Sequence, residues 1–544
     1  MRRRFPALPA LLLLAFVGGT ASALPPEGRT PTVAEEIKLI RAADEALDVW
    51  DLPAAVAAAA ELEKKYPNGT DSLEARALVR FHEGKYQEAV KLLDAASAKG
   101  RRAETSWMVK LIRNTAKVTQ HFKEKRGEHF VVKYEAGPDE LLAEWTLATL
   151  EAQRAFLEKE LGYAPPEIVP IEIYPTGDKF ATVTTLTRAE IETTGTIALC
   201  KFNRMMITTP GALAYGYPWR DTLAHEYVHY VVARMTGNKV PIWLHEGLAK
   251  YLEVKWRGAK GGDTTPTTQT VLAEALARNY FIPLEKMHPS IAKLPTAYDA
   301  TLAFAEVESM ISYSFDTWGS VGVRTLLEGL RDGKEMDAAL TAGFGVGLTG
   351  LEAKWKEHLT ANPPKLIPEL AILPTSLKDP SADADASGAA HKGLADSTKD
   401  YLRLGDMLAG ENRGDAAIAE YKKAKDSEKK ASTRGAGGPI FDFKITNVYL
   451  ANGKLVEARK TVTPLVDSYP SFSPALRALG EIELKDGNGK KARALFEESL
   501  GLAPFDLNAW AQLMTACDKL GDKACADDAK SKAEKLHAMR MGNR

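Results

Sequence analysis

Two histidines four residues apart, His225 and His229, mark the segment of this chain with the clearest capacity for chemistry. They begin and end the sequence HEYVH. In a helix this spacing places both imidazoles on one face about one turn apart, where a single metal ion can bind both. A catalytic zinc takes three His or carboxylate ligands and leaves a fourth position for water, whose pKa it lowers. We therefore expect His225 and His229 to be zinc ligands.

A third ligand is expected from the following segment, WLHEGLAKYLE, which spans 243–253. Glu246 is the best candidate because a carboxylate on a second amphipathic helix can face the first. His245 competes for this role, but it is offset by about 100° around a helix and would face elsewhere. Glu226, next to the first histidine, is placed to accept a proton from water and pass it to a leaving amine.

Both segments have the sequence pattern of helices joined by a short loop. The first has an apolar stripe that includes Leu223, Tyr227 and Val231, and Gly237-Asn238 reads as its end. Pro241 opens the second helix. A metal held between them requires the two helices to run antiparallel.

The HExxH sequence together with W-L-x-E-G-L-A resembles the gluzincin metallopeptidases, which include thermolysin-like and aminopeptidase-like enzymes, and most closely the peptidase MA-like domains. The resemblance extends over roughly 128–360 and implies one Zn²⁺ per chain. It implies that His225, His229 and Glu246 bind this zinc and that Glu226 is the general base. The fold it implies is an α+β zincin-like domain with a small mixed sheet, the HExxH helix and a helical second half, expected at 121–362.

The segments that precede the HExxH helix have strand character. Residues 128–135 and 168–174 alternate or run apolar, with helical spacing between them at 139–161. Residues 196–200 and 205–208 predict a hairpin. In the family a sheet edge in this place holds the substrate backbone as an added strand; a purely structural edge hairpin is the alternative.

The sequence departs from the family at two points. Relatives often carry a Tyr that steadies the oxyanion early in the helix after the ligands, where this chain has Phe304, so Tyr298 and Tyr313 are candidate substitutes. Each could equally be a core or rim aromatic.

The second departure is Lys250, which replaces an acidic residue that supports the ligands in thermolysin-like enzymes. Asp221 and Glu253 could orient ligands instead, or could be solvated helix charges.

A 34-residue period marks the C-terminal part of the chain. Gly453, Gly487 and Gly521 repeat at this interval, and the period resembles tetratricopeptide (TPR) repeats. The spacing of Pro67, Gly84 and Ala89 reproduces the same phase. We expect all-α TPR-type repeats at 24–120 and 400–540, with a linker at 363–399. Such surfaces bind peptides or partner proteins, and they also serve as spacers.

The N-terminal sequence Met1–Ala23 has a basic start, an apolar run and an Ala-Ser-Ala exit, which predict a secretory signal peptide. Its removal would leave 68 basic and 72 acidic residues, a net charge of −4 that gives no nucleic-acid signature. No later stretch reaches the roughly eighteen apolar residues of a membrane span. We expect an exported protein, periplasmic or secreted, in a bacterial envelope. Cys517 and Cys525 could be joined there or remain unpaired.

These features predict an exported zinc peptidase that cleaves a peptide or protein substrate, with repeats that recruit substrate or a protein partner. An endopeptidase is favoured because the G-x-M-E-N segment of gluzincin aminopeptidases is absent. Two alternatives stay open. One is a catalytically inactive, zinc-binding TPR scaffold; the other is a zinc amidase acting on a non-protein substrate.

Overall fold

The computed structural model describes residues 34–99, 106–259, 264–288, 290–368, 370–372, 377–378, 394–431 and 438–542. The predicted signal segment Met1–Ala23 lies outside the described residues. Among the residues described, no helix has the length and apolar character needed to cross a membrane.

Five helices open the described chain. They pack mainly as consecutive pairs, α1 with α2 and α3 with α4, and α5 packs on α4. Their bounds are α1 Ala34–Asp48, α2 Leu52–Lys65, α3 Thr70–His82, α4 Tyr86–Ser97 and α5 Trp107–Val118. Small residues at the contacts, such as Ala55, Ala77 and Ala89, are fully buried and let the helix axes approach closely.

A five-stranded mixed sheet follows, with strand order β1-β2-β3-β5-β4. The central strands β2, β3 and β5 are parallel to one another, and β1 and β4 pair antiparallel at the two edges. The bounds are β1 Lys123–Arg126, β2 Phe130–Tyr134, β3 Val169–Tyr174, β4 Ala198–Lys201 and β5 Arg204–Thr208. Helix α6, Glu140–Leu161, connects β2 to β3, and the short helices α7, Gly177–Val183, and α8, Arg188–Thr194, lie between β3 and β4.

The hairpin between β4 and β5 turns through two residues, Phe202 and Asn203, which both have positive φ. A two-residue turn of this kind matches the twist of the flanking strands, and asparagine tolerates the left-handed conformation. Phe202 is held there by aromatic packing against Phe81, at 5.3 Å, and His82, at 5.6 Å. The turn therefore lies against the N-terminal helices.

The second half of the central region is helical. Helices α9, Trp219–Thr236, and α10, Ile242–Leu252, are followed by α11, Pro266–Arg278, and by the long helix α12, Ala297–Arg331. Helix α12 changes direction at Gly319, whose φ of 63° and ψ of −175° are not helical. Two further helices, α13 Met336–Phe344 and α14 Leu348–Ala361, complete this region. The fold is α+β and zincin-like, with helical repeats on either side.

Eight helices form the C-terminal part as far as its residues are described. They are α15 Asp396–Gly410, α16 Gly414–Lys430, α17 Gly438–Ala451, α18 Leu455–Ser468, α19 Ser473–Lys485, α20 Gly489–Leu502, α21 Leu507–Leu520 and α22 Lys523–Gly542. Gly453, Gly487 and Gly521 follow α17, α19 and α21, and each has a φ between 69° and 84°. The 34-residue glycine period thus reflects a left-handed residue at the end of the first helix of each pair. A disulfide joins Cys517 and Cys525 across the turn between α21 and α22.

The C-terminal helices dock on the central region through three tryptophans. Trp219 is the first residue of α9, and its ring lies 6.3 Å from that of Trp145 on α6. Trp145 in turn stacks on Trp510 of α21 at 6.2 Å. Lys532 of α22 covers Trp145 and Trp510, with its Nζ 5.1 Å and 5.2 Å from their ring centres. We call these three rings the tryptophan ladder. It connects the start of α9 to α21 in the C-terminal part.

A loop at 209–218, between β5 and α9, makes main-chain contact with the same repeats. The amide of Tyr217 donates to the carbonyl of Leu502 at 3.1 Å, and the Ser473 hydroxyl donates to the Tyr215 carbonyl at 2.6 Å. Gly216, at φ 69°, allows this approach, because a Cβ there would lie 2.1 Å from the Leu502 oxygen. The repeats therefore form part of the surroundings of α9.

Candidate metal centre

Helix α9 carries the two histidines. Its end is set by Gly237, which has a φ of 63° and donates its amide to the Ala233 carbonyl. Leu223, Tyr227 and Val231 are fully buried and hold the apolar face of α9 in the core. The opposite face presents His225 and His229, which are only 13% and 12% exposed at their side chains. Burial on both sides fixes the helix and hence the two imidazoles.

Helix α10 carries the third candidate, Glu246, and lies antiparallel to α9 with a five-residue connection. Gly247 explains the glycine of the W-L-x-E-G sequence. A Cβ at this position would lie 2.5 Å from Ile311 and 2.8 Å from the Val307 carbonyl, both on α12. The absence of a side chain lets α12 pack directly behind α10. Glu246 is thereby supported from the second half of the domain.

The side chains of His225, His229 and Glu246 converge. The Nε2 atoms of the two histidines lie 3.1 Å apart, and each lies 3.4 Å from Oε2 of Glu246. Ligand atoms placed tetrahedrally around zinc at roughly 2.0–2.2 Å are separated by about 3.3–3.6 Å. Among the described residues, these three form the group of His, Cys, Asp and Glu side chains able to hold a metal ion. Their chemistry and spacing fit zinc.

The electrostatics of this group favour a cation. Burial by itself would raise the pKa of Glu246, but the two imidazoles outweigh it and the pKa is lowered. Burial would lower the pKa of His225, but the carboxylates of Glu246 and Glu253 raise it to about 10. Both shifts report strong attraction between positive and negative charge at this position.

Two further side chains contact the histidines from outside the converging group. Glu253 Oε2 lies 2.9 Å from Nδ1 of His225. Nδ1 of His245 lies 2.6 Å from Nδ1 of His229. His245 lies outside the converging group, as its offset from Glu246 predicts, but it does not face away from the site, because its ring contacts His229.

Asp221, the other residue expected to orient a ligand, has different partners. It accepts hydrogen bonds from Trp256 Nε1 at 2.8 Å and from the guanidinium of Arg257 at 3.0–3.1 Å. These contacts tie the first turn of α9 to the segment after α10. Asp221 thus supports the helix pair, while Glu253 contacts a histidine.

Glu226 lies between the histidines and the edge of the sheet. It is 6% exposed, and burial raises the pKa of its carboxyl group, opposed by His229 and His225. The backbone of Cys200 lies close enough to this carboxylate to lower its pKa. Because Cys200 belongs to β4, the edge strand runs directly beside Glu226. A carboxylate, a candidate metal position and a strand edge are thus adjacent.

Family comparison assigns this region. Residues 151–361 match the model of the Peptidase MA superfamily. This part of the chain is a Peptidase MA superfamily domain. Residues 40–103 and 444–506 match the tetratricopeptide repeat model. The resemblance inferred from HExxH, W-L-x-E-G and the 34-residue period is thereby confirmed.

Several solved structures are similar to the chain at low sequence identity. Yeast LTA4 hydrolase in complex with bestatin is 12% identical over 76% of this chain and 67% of its own, with a TM-score of 0.27. The MamA protein is 19% identical over 26% of this chain and 74% of its own, with a TM-score of 0.23. Yeast Tom70 is 14% identical over 92% and 90%, with a TM-score of 0.19. A comparison with curated proteins found no match.

The Peptidase MA domain places the two tyrosine candidates in other contacts. The Tyr298 hydroxyl donates to Glu274 of α11 at 3.1 Å. The Tyr313 ring packs against Trp318 at 5.6 Å and His358 at 5.0 Å. Phe304 packs against the hydrophobic core. The structure therefore brings neither tyrosine into the converging group, and the role of oxyanion stabiliser stays unassigned.

Two contacts beside the ligand histidines were not predicted from the sequence. His245 contacts His229, and Lys250 contacts Glu253, which contacts His225. The one available signal was spacing: Glu253 follows Glu246 by seven residues, or about two helical turns, so both lie on one face of α10. His245 carried no such signal, since its position depends on the angle between two helices.

Proposed function

We propose that the protein is an exported zinc-dependent peptidase, most consistent with an endopeptidase, whose repeats bind a protein partner or substrate. The observation that carries the proposal is the convergence of His225, His229 and Glu246 at 3.1–3.4 Å, with Glu226 on the next position of the same helix. Membership of residues 151–361 in the Peptidase MA superfamily supports zinc as the metal and hydrolysis as the reaction.

The residues of this chain divide the work of hydrolysis. When bound, zinc supplies positive charge that polarises a carbonyl oxygen and lowers the pKa of water. His225, His229 and Glu246 would hold it. The Glu226 carboxylate then takes a proton from the attacking water and delivers it to the nitrogen of the departing amine. Burial of Glu226 suits this role, because it raises the proton affinity of the carboxylate.

Strand β4 is the proposed support for the substrate. It pairs with β5 on one side only and is the outermost strand of the sheet. An extended peptide can add to such an edge through main-chain hydrogen bonds, which do not depend on the side-chain sequence. A strand in that place would run past Glu226, because Cys200 of β4 lies close enough to Glu226 for each to shift the pKa of the other. Binding along a strand, without capture of a chain end, favours internal cleavage.

Export is supported by two features. Met1–Ala23 has the sequence pattern of a secretory signal. The Cys517–Cys525 disulfide suits an oxidising compartment such as the periplasm or the extracellular medium. We propose the bacterial envelope as the setting. Two measurements on protein recovered from that compartment would test this. N-terminal sequencing should show that Met1–Ala23 has been removed, and titration of thiols after unfolding should find only Cys200.

A peptide library tests the activity directly. The purified mature protein, with and without a chelator, is incubated with diverse peptides, and products are read by mass spectrometry. Chelator-sensitive cleavage at internal bonds is the expected result. Removal of only the N-terminal residue of each peptide would indicate an aminopeptidase rather than an endopeptidase. A zinc-loaded protein that cleaves nothing would favour the inactive TPR scaffold.

A further inference from the structure

His225 is contacted on both nitrogens. Its Nε2 lies within the converging group, while Nδ1 faces the Glu253 carboxylate at 2.9 Å. A carboxylate at Nδ1 keeps the proton on that nitrogen and leaves the Nε2 lone pair directed toward a metal. Glu253 is well placed for this, because its side chain is 16% exposed and competes little with water.

The second oxygen of Glu253 is also occupied. Lys250, one turn earlier at the end of α10, places its Nζ 2.5 Å from Oε1 of Glu253. The two oxygens of Glu253 therefore have different partners, an imidazole and an ammonium. This arrangement fixes the rotation of the carboxylate, since neither oxygen can move without losing one contact.

Lys250 is shared with a third element. It interacts electrostatically with Glu308 of α12. Glu308 is 7% exposed, and this burial raises its pKa to about 7, whereas Lys250 lowers it. The charge of Glu253 raises the pKa of Glu308, so the two acids oppose each other's ionisation in a buried region. Lys250 lowers the pKa of both and thus favours the ionised form of each.

We propose that Glu253 is the positioning residue of His225 and that Lys250, held between Glu253 and Glu308, keeps Glu253 in place. The chain of contacts runs from α12 through α10 to α9, so the second half of the domain orients a ligand of the first half. The inference rests on the proposed function for the presence of zinc, but not on cleavage. It also explains why a lysine stands at position 250: the orienting carboxylate is one turn further along.

Zinc affinity of the full-length mature protein tests the proposal, measured by competition with a chelator of known affinity. Glu253→Gln keeps the size of the side chain, but its amide group must face either His225 or Lys250, so one contact is lost. The expected loss of zinc affinity is about 10- to 100-fold. Lys250→Met is expected to weaken zinc binding in the same direction. Glu158→Gln, at an exposed position of α6, is the matched control and should leave affinity unchanged.

The link to α12 has its own test. In Lys250→Met the two acids lack their shared cation, so adding Glu308→Gln should recover part of the lost zinc affinity. Substitution with Co²⁺ gives a second readout, because the visible absorption bands of the ion report its ligand geometry. These bands should change in Glu253→Gln and stay unchanged in Glu158→Gln. Where Glu253→Gln fails to fold, Glu253→Asp provides the same comparison with the charge retained and the reach shortened.

The outcomes separate this proposal from the peptidase proposal. Wild-type affinity and unchanged Co²⁺ bands in both Glu253→Gln and Lys250→Met would overturn the positioning role, whatever the protein cleaves. Tight zinc binding without cleavage in the wild type would overturn the peptidase and leave the positioning role standing. A wild type that binds no zinc would overturn both.

Discussion

The Nδ1 atom of His245 lies 2.6 Å from the Nδ1 atom of His229. A neutral imidazole carries one proton, so when the Nε2 lone pair of His229 is directed at a metal, its Nδ1 must carry that proton and donate it. His245 is therefore the acceptor and holds its own proton on Nε2. The Nδ1 atom of each ligand histidine is thus held by a side chain from α10 or its end: Glu253 contacts His225, and His245 contacts His229.

Comparing position 246 with position 245 tests which residue is a ligand and which supports one. Glu246→Gln should lower zinc affinity far more than His245→Ala, because it weakens a direct ligand. The loss in His245→Ala should be about 10-fold, the lower end of the effect of an outer partner. His245→Asn, whose amide oxygen can accept the same hydrogen bond, should recover most of it. The reverse order of affinities, measured by chelator competition, would move the ligand to His245.

Glu226→Gln separates chemistry from metal binding. Glu226 approaches the reacting water rather than the converging ligand atoms, so the variant should keep its zinc and its melting temperature. Loss of a general base should lower the cleavage rate by about 10²- to 10⁴-fold. Metal analysis and peptide-library kinetics on the same preparation provide the two measurements. A variant that cleaves as fast as the wild type would remove Glu226 from the mechanism.

His229→Ala tests the stoichiometry of the site. The mature wild type should carry one zinc per chain, and the variant should lose most of it, because two remaining ligands bind far more weakly than three. Elemental analysis after dialysis against a chelator-treated buffer measures this. Full retention of zinc in His229→Ala would contradict the assignment.

Glu306 makes stability depend on pH at a distance from the ligands. It lies on α12, is 1% exposed and accepts a hydrogen bond from the Ile282 amide. Burial raises its pKa to about 8, and the nearby Glu352 adds to this shift, whereas the Ile282 amide and Lys356 oppose it. The folded state therefore holds a proton that the unfolded state releases near its usual pKa of 4.5. The free energy of unfolding should fall as pH rises from about 4.5 to 8, by at most about 5 kcal/mol.

Glu306→Gln removes the titrating carboxyl group and with it this pH dependence, while the amide oxygen of glutamine can still accept the hydrogen bond from the Ile282 amide. Denaturant unfolding at pH 5 and pH 7.5 should show a smaller difference in free energy for the variant than for the wild type. Equal differences in the two proteins would show that Glu306 titrates normally.

Gly216 and Gly258 form a matched pair for testing the docking of the repeats. Both have positive φ, 69° and 74°, so alanine adds a similar backbone strain at each. A Cβ at 216 would meet the Leu502 carbonyl at 2.1 Å, whereas nothing lies within 4 Å at 258. Gly216→Ala should destabilise the protein by about 1–3 kcal/mol more than Gly258→Ala. Equal melting temperatures for the two variants would show that the repeats do not pack closely against the 209–218 loop.

The features predicted from sequence were those encoded locally. The strands at β2 to β5, the end of α9 at Gly237 and the repeat glycines all follow from short-range patterns, and the structure places them within one or two residues of the prediction. Strand β1 was missed because its sequence, KEKR, has no apolar alternation and forms a strand by pairing with β2. Its main chain, rather than its side chains, determines its structure.

Contacts between distant segments account for the rest. Leu377 falls in a segment whose composition predicts a linker, yet it is buried and bridges to Leu213. Trp145 and Trp510 are separated by more than half of the chain, and no periodicity links them. At the site, His225, His229, Glu226 and Glu246 were accessible from spacing and resemblance. The contact of His245 was not, because it depends on how closely two helices approach.

The tryptophan ladder has a practical consequence for the isolation of the Peptidase MA domain. A fragment ending near residue 362 would leave one face of Trp145 and the loop around Tyr215 open to water, since Trp510, Phe472 and Leu502 cover them in the whole chain. Newly exposed aromatic surface of this kind promotes aggregation. The Peptidase MA domain is therefore expected to be poorly soluble by itself. Production of that domain for experiments should include the C-terminal repeats that cover it.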